Sequence, residues 1–481
     1  MGVVTVNKVA EVSAQYLAEL EENAVPVGYK QTEVGLIPED WEESTINDVL
    51  SEISMGPFGS DIKVSNFVDC GVPVLSGLNV NAEKLKDQFT NYVTKEKAKA
   101  LKKAVASRGD VVVTHRGTIG RISYIPEDSL FEKYVISQSQ FRARFVSKVL
   151  PSWVVLYFHS SQGSRSLLEG KSHTGVPAIA QATTTFRKLK LSLPRIEEQT
   201  AIANALSDVD ALISELEKLI AKKQAIKTAT MQQLLTGRTR LPQFALREDG
   251  SKKGYKQSEL GDIPEDWGVM TIGDALDSGF IFDQMDGNHG DLYPKSHEFS
   301  SYGVPYVGAT DFYSGRIDYK NCKYLPEVRA KKFKKGIAVD GDVLFAHNAT
   351  VGPVAILRTG LDFVILSTTA TYYRCNSEKI KNVFLAKYFE SEFFVKQYSA
   401  VMSQSTRNQV PILAQRKFFL ILPEIEEQTA IATILSDMDS EIQALQQRLT
   451  KTRQIKQGMM QELLTGKTRL PFAADIEVDN V

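Results

Sequence analysis

The chain has 481 residues, of which 43% are hydrophobic and 24% charged, and its formal net charge is −1. This length exceeds what one hydrophobic core accommodates, so we expect at least two domains. The apolar runs, such as Trp153 to Phe158, fall far short of the roughly 20 residues that span a bilayer, which excludes a membrane protein of the helical kind.

Cysteine and histidine usage points to a reducing compartment. The three cysteines and six histidines are scattered, with neither a disulfide framework nor the spacing of metal ligands. The first 25 residues lack the basic start and apolar block of a signal peptide. We therefore expect a cytoplasmic protein without a metal site.

The small net charge hides a segregation along the chain. The stretch from Glu43 to Lys190 has 20 Lys and Arg against 13 Asp and Glu, and that from Val269 to Phe419 has 18 against 15, which leaves −11 for the rest. Two basic bodies on an acidic framework suit phosphate contacts by the bodies and protein contacts by the framework. Surface scatter explains the smaller excess of the second body equally well.

Residues 1–27 precede everything that repeats. Val9, Val12, Tyr16, Leu17 and Leu20 have helical spacing, so we expect an N-terminal helical extension. Whether it caps the rest of the protein or contacts a partner stays open.

The remaining chain is a duplication, which a search for repeats reveals first. Between residues 193–242 and 422–471, 29 of 50 positions are identical. The repeated stretches are GYKQTEVGLIPEDW (Gly28) with GYKQSELGDIPEDW (Gly254), LPRIEEQTAIANALSDVD (Leu193) with LPEIEEQTAIATILSDMD (Leu422), and LLTGRTRLP (Leu234) with LLTGKTRLP (Leu463). Each half therefore consists of an entry segment, a variable body and a conserved tail.

This pattern predicts the domain organisation. Its parts are the extension 1–27, a first recognition body 28–192, a spacer helix 193–241, a linker and second entry segment 242–268, a second body 269–421, a second spacer helix 422–471 and a tail 472–481. The class is α+β, with two α/β bodies joined by two long helices.

The bodies share only islands of sequence. GVPVL at Gly71 matches GVPYV at Gly303, RGDVVVTHRGTIG from Arg108 matches DGDVLFAHNATVG from Asp340, and Val176-Pro177 matches Val410-Pro411. The second island predicts strands at 110–113 and 342–345, each ending in a polar loop. Arg pairs with guanine and Asn with adenine in the major groove, so Arg116 against Asn348 is a difference expected of two base-reading loops. Ordinary turn residues explain each one about as well.

Polar side chains in these loops are the candidate DNA contacts. They are Ser60, Lys63, Asn79, His115, Arg116, Thr118, Arg121, Lys171 and His173 in the first body, and Asn288, His289, Asp311, His347, Asn348, Thr350, Thr406, Arg407 and Asn408 in the second.

The conserved tails have the apolar seam of paired helices. The seam residues are Ile202, Leu206, Val209, Ile213, Leu216 and Ile220 in the first tail, and Ile431, Leu435, Met438, Ile442, Leu445 and Leu449 in the second. The seam then turns polar at Lys223, Lys227, Thr452 and Lys456, which predicts a stutter or a change of partner. Gly237 and Gly466 are natural helix ends, and the basic residues after them suit the negative end of the helix.

The linker decides how the helices pair. A helix of 40 residues is about 60 Å long, whereas the linker from Leu241 to Gly254 spans at most about 45 Å. A parallel pair would separate the ends that the linker must join, so we expect antiparallel helices related by an internal pseudo-two-fold axis.

Signatures of catalysis are missing from the sequence. The Gly-Lys-Thr at Gly466 lacks the earlier glycine of a phosphate-binding loop, because Gln461 occupies that position. There is no GxGxxG after a strand, no Asn-Pro-Pro-aromatic motif, no HExxH and no GxSxG. We therefore interpret the chain as a binding protein with no catalytic residues.

The repeated motifs resemble those of the specificity (S) subunits of Type I restriction–modification systems. The motifs are IPEDW before each body, the GDV islands within, LPxIEEQ at each body's end and LLTGxTRLP at each tail's end, and they cover residues 28–471 in order and twice. The resemblance implies two target-recognition domains, each recognising one half of a split, asymmetric site in double-stranded DNA. The helices, at 196–236 and 425–465, would set the gap between the halves.

The same resemblance implies partners and cofactors. Two methylation subunits bind S-adenosylmethionine and methylate adenine, and restriction subunits use ATP and Mg to translocate and cut DNA, so no cofactor is expected on this chain. One rival interpretation is a self-contained DNA methyltransferase or nuclease with built-in recognition domains. Another is a purely structural coiled-coil adaptor. The sequence leaves the DNA target open.

Overall fold

The computed structural model describes residues 25–59, 61–168, 177–287, 290, 293–404 and 407–471. The chain divides into two units: the first comprises residues up to Leu216 and from Arg448 onward, and the second comprises Glu217 to Gln447. Each unit therefore contains one variable body, the beginning of one long helix and the end of the other. The N-terminal extension lies almost wholly outside the described residues, and its helix stays a prediction.

The body of the first unit is built on an antiparallel sheet. Its strands are β1 (Tyr29–Thr32), β2 (Gly35–Pro38), β3 (Glu42–Thr45), β4 (Leu50–Met55), β5 (Val72–Pro73), β6 (Tyr92–Val93), β7 (Val105–Ser107), β8 (Val111–Thr114), β9 (Ile122–Tyr124), β10 (Lys133–Val135), β11 (Gln140–Phe145) and β12 (Lys190–Leu193). The central sheet has four strands in the order β4-β11-β8-β9. Since β3 pairs with β12, the entry segment and the end of the body close onto each other.

Strand β8 explains why this sheet is covered on both faces. Val111 and Val113 pack into one core cluster, whereas Val112 packs into another. Successive side chains of a strand point to opposite faces, so a run of consecutive valines suits a sheet that is buried on both sides. The strand predicted here from the sequence is confirmed.

Helices cover this sheet and lead out of the body. They are α1 (Ile46–Val49), α2 (Lys95–Ala100), α3 (Pro151–His159), α4 (Ser161–Leu168), α5 (Ala182–Lys188) and the long α6 (Ile196–Leu234). Helix α1 begins with a capping box, in which Thr45 and Asp48 each accept from the other's backbone amide.

The second unit repeats this plan. Its strands are β13 (Tyr255–Ser258), β14 (Gly261–Pro264), β15 (Gly268–Thr271), β16 (Ile281–Asp286), β17 (Val304–Val307), β18 (Phe312–Tyr313), β19 (Arg316–Ile317), β20 (Lys323–Leu325), β21 (Ile337–Ala338), β22 (Val343–Asn348), β23 (Thr350–Ile356), β24 (Val364–Leu366), β25 (Ala370–Cys375) and β26 (Phe419–Leu422). Its helices are α7 (Ile272–Asp277), α8 (Glu327–Ala330), α9 (Asn382–Phe389), α10 (Glu392–Ser403), α11 (Ile412–Gln415) and α12 (Ile425–Leu463). The sheet order β16-β25-β22-β23 is equivalent to that of the first unit.

The long helices run antiparallel within each unit. In the first unit, Ile202 and Leu206 near the start of α6 share a core cluster with Leu463 at the end of α12. In the second unit, Met231 near the end of α6 shares a cluster with Ile431 near the start of α12. Every residue of the predicted seam is buried or half-buried. The predicted α+β class, with two bodies and two long antiparallel helices, is confirmed.

Where the seam turns polar, the structure bears on one of the two alternatives. Lys223 Nζ lies 2.7 Å from Glu441 Oε1, and Lys227 Nζ lies 2.5 Å from Asp439 Oδ1. Ile226, which falls one place early, is exposed. The polar positions of the seam therefore have ionic partners on the other helix, as a change of partner predicts, while the stutter stays a prediction.

Candidate nucleic-acid interface

Separate loops of the first body meet at one end of its central sheet. The backbone amide of His115 donates to Ser139 O at 2.9 Å, and that of Ile179 donates to His115 O at 2.9 Å. The side chain of Gln140 donates to Ser76 O at 3.1 Å. We call this the first loop end and define it by residues 56–59, 76–79, 115–121, 137–140 and 177–179.

The second body has the same arrangement. The amide of His347 donates to Thr369 O at 3.0 Å, and that of Val410 donates to His347 O at 2.8 Å. Ala309 N donates to Thr369 Oγ1 at 2.9 Å. The second loop end comprises residues 287, 308–311, 347–350, 367–370 and 407–410. One backbone scaffold therefore supports both ends, although most of their side chains differ.

These hydrogen bonds correct one alignment made from the sequence. Gly117 N donates to Pro177 O at 2.8 Å, and Ala349 N donates to Asn408 O at 3.0 Å, so Pro177 corresponds to Asn408. The equivalent of Val410 is accordingly Ile179, two positions after the Val-Pro that the sequence comparison had paired with it. A shared dipeptide was a weaker guide than the pairing of the strands.

Several candidates from the sequence are exposed and close together. Arg116 and Thr118 are exposed on the turn after β8, and Arg121 donates from Nη1 to Gly77 O at 3.0 Å on the neighbouring turn. In the second body, Thr350 and Asn408 are exposed on segments that the bridge between Asn348 and Gln409 joins. Arg407 is exposed beside Asn408. These exposed candidates therefore lie on neighbouring segments within each body.

Other candidates belong to the scaffold. Asn79 is 1% exposed, and its side chain donates to Lys86 O at 2.9 Å and to Gln88 O at 2.6 Å. His347 is also 1% exposed, with Nδ1 2.9 Å from Thr371 Oγ1. Both side chains are buried and hydrogen-bonded inside the fold, so they do not face the exposed surface of the loop ends.

Two further candidates are half-buried. Asp311 accepts from Gly308 N at 2.8 Å, and burial raises the pKa of its carboxyl. His115 occupies the position equivalent to His347, and burial lowers the pKa of its imidazole. The neutral ring of His115 carries no charge for phosphate contact at neutral pH.

The remaining candidates are Lys63 and six residues outside the described part of the chain. Lys63 is exposed at the start of a 3-10 turn, Val64–Asn66. Ser60, Lys171, His173, Asn288, His289 and Thr406 lie outside the described residues.

The sequence did not identify a cluster of charged side chains around a buried glutamate and tryptophan at the end of each long helix. In the first unit, Arg469 donates two hydrogen bonds to Asp40, at 2.9 and 2.8 Å, and two to Glu198, at 2.5 and 2.9 Å. Trp41 Nε1 donates to Glu198 at 3.0 Å, and the guanidinium lies 5.9 Å from the centre of its ring. Asp40 and Trp41 belong to IPEDW, Glu198 to IEEQ and Arg469 to LLTGKTRLP, so three repeated motifs meet here.

The second unit contains an equivalent cluster. Arg240 donates to Asp266 at 2.8 and 3.1 Å and to Glu427 at 2.8 and 2.7 Å. Trp267 Nε1 donates to Glu427 at 2.9 Å, and the guanidinium lies 5.5 Å from its ring. We call these the helix-end clusters. The second basic residue after LLTG, which is Arg240 in one copy and Arg469 in the other, therefore bridges two carboxylates. The sequence predicted only a favourable interaction with the negative end of the helix.

Each cluster also explains the glycine of LLTG. Gly237 and Gly466 both have a φ of +70°, as predicted for a helix end. A Cβ on Gly237 would lie 2.3 Å from Pro264 Cγ, and one on Gly466 would lie 2.4 Å from Pro38 Cγ. The sequence did contain a signal for these clusters, since IPEDW, IEEQ and TRLP are identical in both halves. Motifs that are retained together in a diverged repeat are candidates for mutual contact.

Two features are absent from the described residues. None of their helices is long and apolar enough to cross a bilayer. No group of three or more His, Cys, Asp or Glu side chains among them is placed to hold a metal ion.

Comparison with protein families decides what the two bodies are. The family described as Type I restriction modification DNA specificity domain matches twice, over residues 38–228 and 264–454. The chain belongs to this family. Each match covers one body and most of one long helix, so the DNA specificity domain is the duplicated element. Arg240 and Arg469 lie just outside both matched ranges.

Relatives agree over nearly the full length of this specificity chain. It is 27% identical over 443 residues to the Type I restriction enzyme MjaVIII specificity subunit of Methanocaldococcus jannaschii, covering 90% of this chain and 94% of the relative. It is also 27% identical to the putative Type I restriction enzyme MjaX specificity subunit of that organism, covering 92% and 97%. The chain is accordingly a specificity subunit of the Type I restriction–modification class.

Solved structures share the fold. The S subunit of a Type I restriction–modification system from M. genitalium superposes with a TM-score of 0.53 at 15% identity, covering 88% of this chain and 96% of that one. A second structure, described as the basis of complex assembly and conformational transition of the Type I system, gives a TM-score of 0.52 at 16% identity, covering 90% and 99%.

Proposed function

We propose that this specificity subunit recognises a bipartite, asymmetric site in double-stranded DNA, with one half-site bound by each loop end. The observation that carries this proposal is the equivalence of the two loop ends. They share a backbone scaffold, yet the first presents Arg116 where the second presents Asn348. Different donors and acceptors at equivalent places are expected of two surfaces that read different bases.

The long helices are proposed to set the gap between the half-sites. Each is 39 residues long, or about 58 Å, which is of the order of two turns of B-DNA at about 34 Å each. The burial of the seam residues and the ion pairs beyond them support a spacer role for the helices.

The chain is further proposed to act as the non-catalytic subunit of a larger enzyme in the cytoplasm. Two methylation subunits and the restriction subunits would dock on the framework, and S-adenosylmethionine, ATP and Mg would bind to those partners. The similarity of the framework in both halves, with 29 of 50 tail positions identical, supports two equivalent docking sites. One of the similar solved structures concerns complex assembly of a Type I system, which is in line with such a role.

Exchange of one body tests the proposed division of labour. Residues 43–190 are replaced by the corresponding segment of another specificity subunit, and methylated adenines are mapped in a host that expresses the complex. Only one half of the recognised site should change, and the gap should stay the same. A change in both halves would contradict the assignment of one half-site to each body.

The helices are tested by insertion. A stretch of seven residues, which preserves the heptad, is added between Ile213 and Lys223 and at the matching place in α12. The gap between half-sites should lengthen while both half-sites are retained. An unchanged gap would show that the helices do not set it.

A third experiment addresses catalysis. The purified chain alone is incubated with DNA and labelled S-adenosylmethionine, beside the chain reconstituted with its methylation subunits. Labelled DNA should form only in the reconstituted reaction. Transfer by the chain alone would instead support the self-contained methyltransferase.

A further inference from the structure

One turn, at residues 76–79 in the first loop end and 308–311 in the second, has the same backbone hydrogen bonds in both but a different exposed side chain. In the first body, Asn79 N donates to Ser76 O at 3.2 Å, while Ser76 N donates to Asn79 Oδ1 at 2.9 Å. In the second body, Asp311 N donates to Gly308 O at 3.0 Å, while Gly308 N donates to Asp311 Oδ2 at 2.8 Å. The two turns therefore share both of these hydrogen bonds.

Equivalence extends to the segment that follows each turn. Lys86 N donates to Asn79 O at 3.1 Å, and Asp318 N donates to Asp311 O at 2.8 Å. The third residue of the first turn, Leu78, thus corresponds to Thr310 of the second. Leu78 is 70% exposed, and Thr310 is exposed as well.

The first turn is held rigidly from several sides. Leu78 N donates to Ser76 Oγ at 3.2 Å, Gln140 holds Ser76 O, and Arg121 holds Gly77 O at 3.0 Å. A large apolar side chain on a preorganised turn loses little conformational entropy when a ligand covers it. Phe58, on the neighbouring loop of the same end, is 84% exposed, so the apolar surface is not confined to a single residue.

We propose that Leu78 and Thr310 are specificity-determining residues at equivalent positions, and that Leu78 contacts the C5-methyl group of a thymine in the half-site of the first body. This inference rests on the proposed function and names the chemistry of one of its contacts. Thymine presents the only methyl group of unmodified DNA in the major groove, and apolar side chains recognise it by contact. Exposed Arg116 lies on the same loop end, so the proposed contacts to base edges and the methyl contact belong to one surface. Thr310 presents a hydroxyl as well as a methyl at the equivalent place, so it can form a hydrogen bond to a base edge, which Leu78 cannot.

The test uses DNA in which single thymines are replaced by deoxyuridine, which lacks only the methyl group. The half-site of the first body is first defined by mapping methylated adenines, with and without the exchange of residues 43–190. The chain reconstituted with its methylation subunits is then titrated with each substituted duplex. Wild type should lose about fourfold in affinity at one thymine of the first half-site, the value expected for one buried methyl group.

Leu78→Ala should bind the unsubstituted site more weakly and show no further loss at that thymine. Leu130→Ala is the matched control, because Leu130 is 66% exposed and lies in the connection after β9, which begins at the opposite end of that strand from the first loop end. It should keep the fourfold loss. Thr310→Ala should change the preference at one base pair of the second half-site and leave the first unchanged.

The outcomes separate the inference from the function on which it rests. If the wild-type complex selects no sequence, the proposed function fails. If it selects a bipartite site but loses no affinity with any deoxyuridine, or if Leu78→Ala loses as much as wild type, the role of Leu78 is refuted while the function stands.

Discussion

Arg240 donates from Nε to Glu427 Oε1 at 2.8 Å, although the two residues are 187 positions apart in the chain. The side chain of Arg240 is 8% exposed and that of Glu427 is 2% exposed. The end of one long helix is thereby fastened to the beginning of the other inside the second unit. Because both groups are charged and buried, each depends on the other for its stability in the folded state.

Removal of this arginine should destabilise the second unit strongly. Arg240→Met leaves the carboxylate of Glu427 buried with only the indole of Trp267 as a donor in the cluster. Breaking one partner of a buried pair costs about 3–5 kcal/mol, so urea denaturation should show a loss of unfolding free energy in this range. Arg238→Ala, an exposed neighbour in the same motif, should change it by about 0.5 kcal/mol or less. Equal stability of the two variants would show that the pair contributes nothing.

The same cluster should make stability depend on pH in the acid range. Burial by itself raises the pKa of Asp266, but hydrogen bonds from Arg240 and Lys253 outweigh it and lower the pKa to about 2. Above about pH 4 the carboxyl is ionised in both the folded and the unfolded state, and its contribution is complete. As the pH falls from about 4 towards about 2, the unfolded state takes up the proton first, and the contribution is lost.

Asp266→Asn should therefore unfold with a shallower pH dependence than wild type between about pH 4 and pH 2, measured by urea denaturation at each pH. Asp277→Asn, at an exposed position on α7, should follow the wild-type slope. Parallel curves for wild type and Asp266→Asn would mean that Asp266 has no lowered pKa in the folded state.

The parts of the fold that the sequence predicted were those with a one-dimensional signal. The seam of α6, the strand at Val111 and the helix end at Gly237 follow from periodicity or from a residue type that suits one backbone conformation. The antiparallel pairing followed from the length of the linker.

The helix-end clusters and the buried loop residues could not be predicted, because they depend on contacts between segments that are distant in the chain. The sequence around Arg240 and Arg238, in the motif TGRTR, does not show which of the two is buried. Arg240 is distinguished by its partners, Asp266 between β14 and β15 and Glu427 on α12. Asn79 likewise had the composition of an exposed loop residue, but its amide is occupied by two carbonyl oxygens of the following segment. Polar residues are buried where partners converge, and such convergence is visible only in three dimensions.

The ion pair that continues the polar seam should be measurable as a coupling. Lys227 is 19% exposed and lies 2.5 Å from Asp439, which also pairs with Lys387 at 2.6 Å. Because α9 supplies Lys387, this pair joins the helices to the body of the second unit. A double-mutant cycle with Lys227→Met and Asp439→Asn should give a coupling of about 1–3 kcal/mol in urea denaturation.

The matched control is the neighbouring ion pair between the same two helices, formed by Lys223, one turn before Lys227, and Glu441. Lys223 and Glu441 are 33% and 50% exposed, so their cycle, with Lys223→Met and Glu441→Gln, should give less than about 1 kcal/mol. Added salt should weaken the second coupling more than the first, because exposed charges are screened more effectively. Equal couplings in the two cycles would argue against any special role for the pair at Lys227.

The glycine of LLTG offers a test in which backbone strain and packing are separated. Gly237 has a φ of +70°, and a Cβ there would lie 2.3 Å from Pro264 Cγ and 3.2 Å from the ring of Trp267. Gly250 in the linker has a φ of +80°, but a Cβ there would meet nothing within 4 Å. Alanine at Gly250 should therefore cost only the strain of the left-handed conformation, about 1–2 kcal/mol. Alanine at Gly237 should cost about 1–3 kcal/mol more, because the rigid proline ring must move. Unfolding free energies of the two variants in urea measure the difference directly, and equal losses would show that Pro264 does not restrict this position.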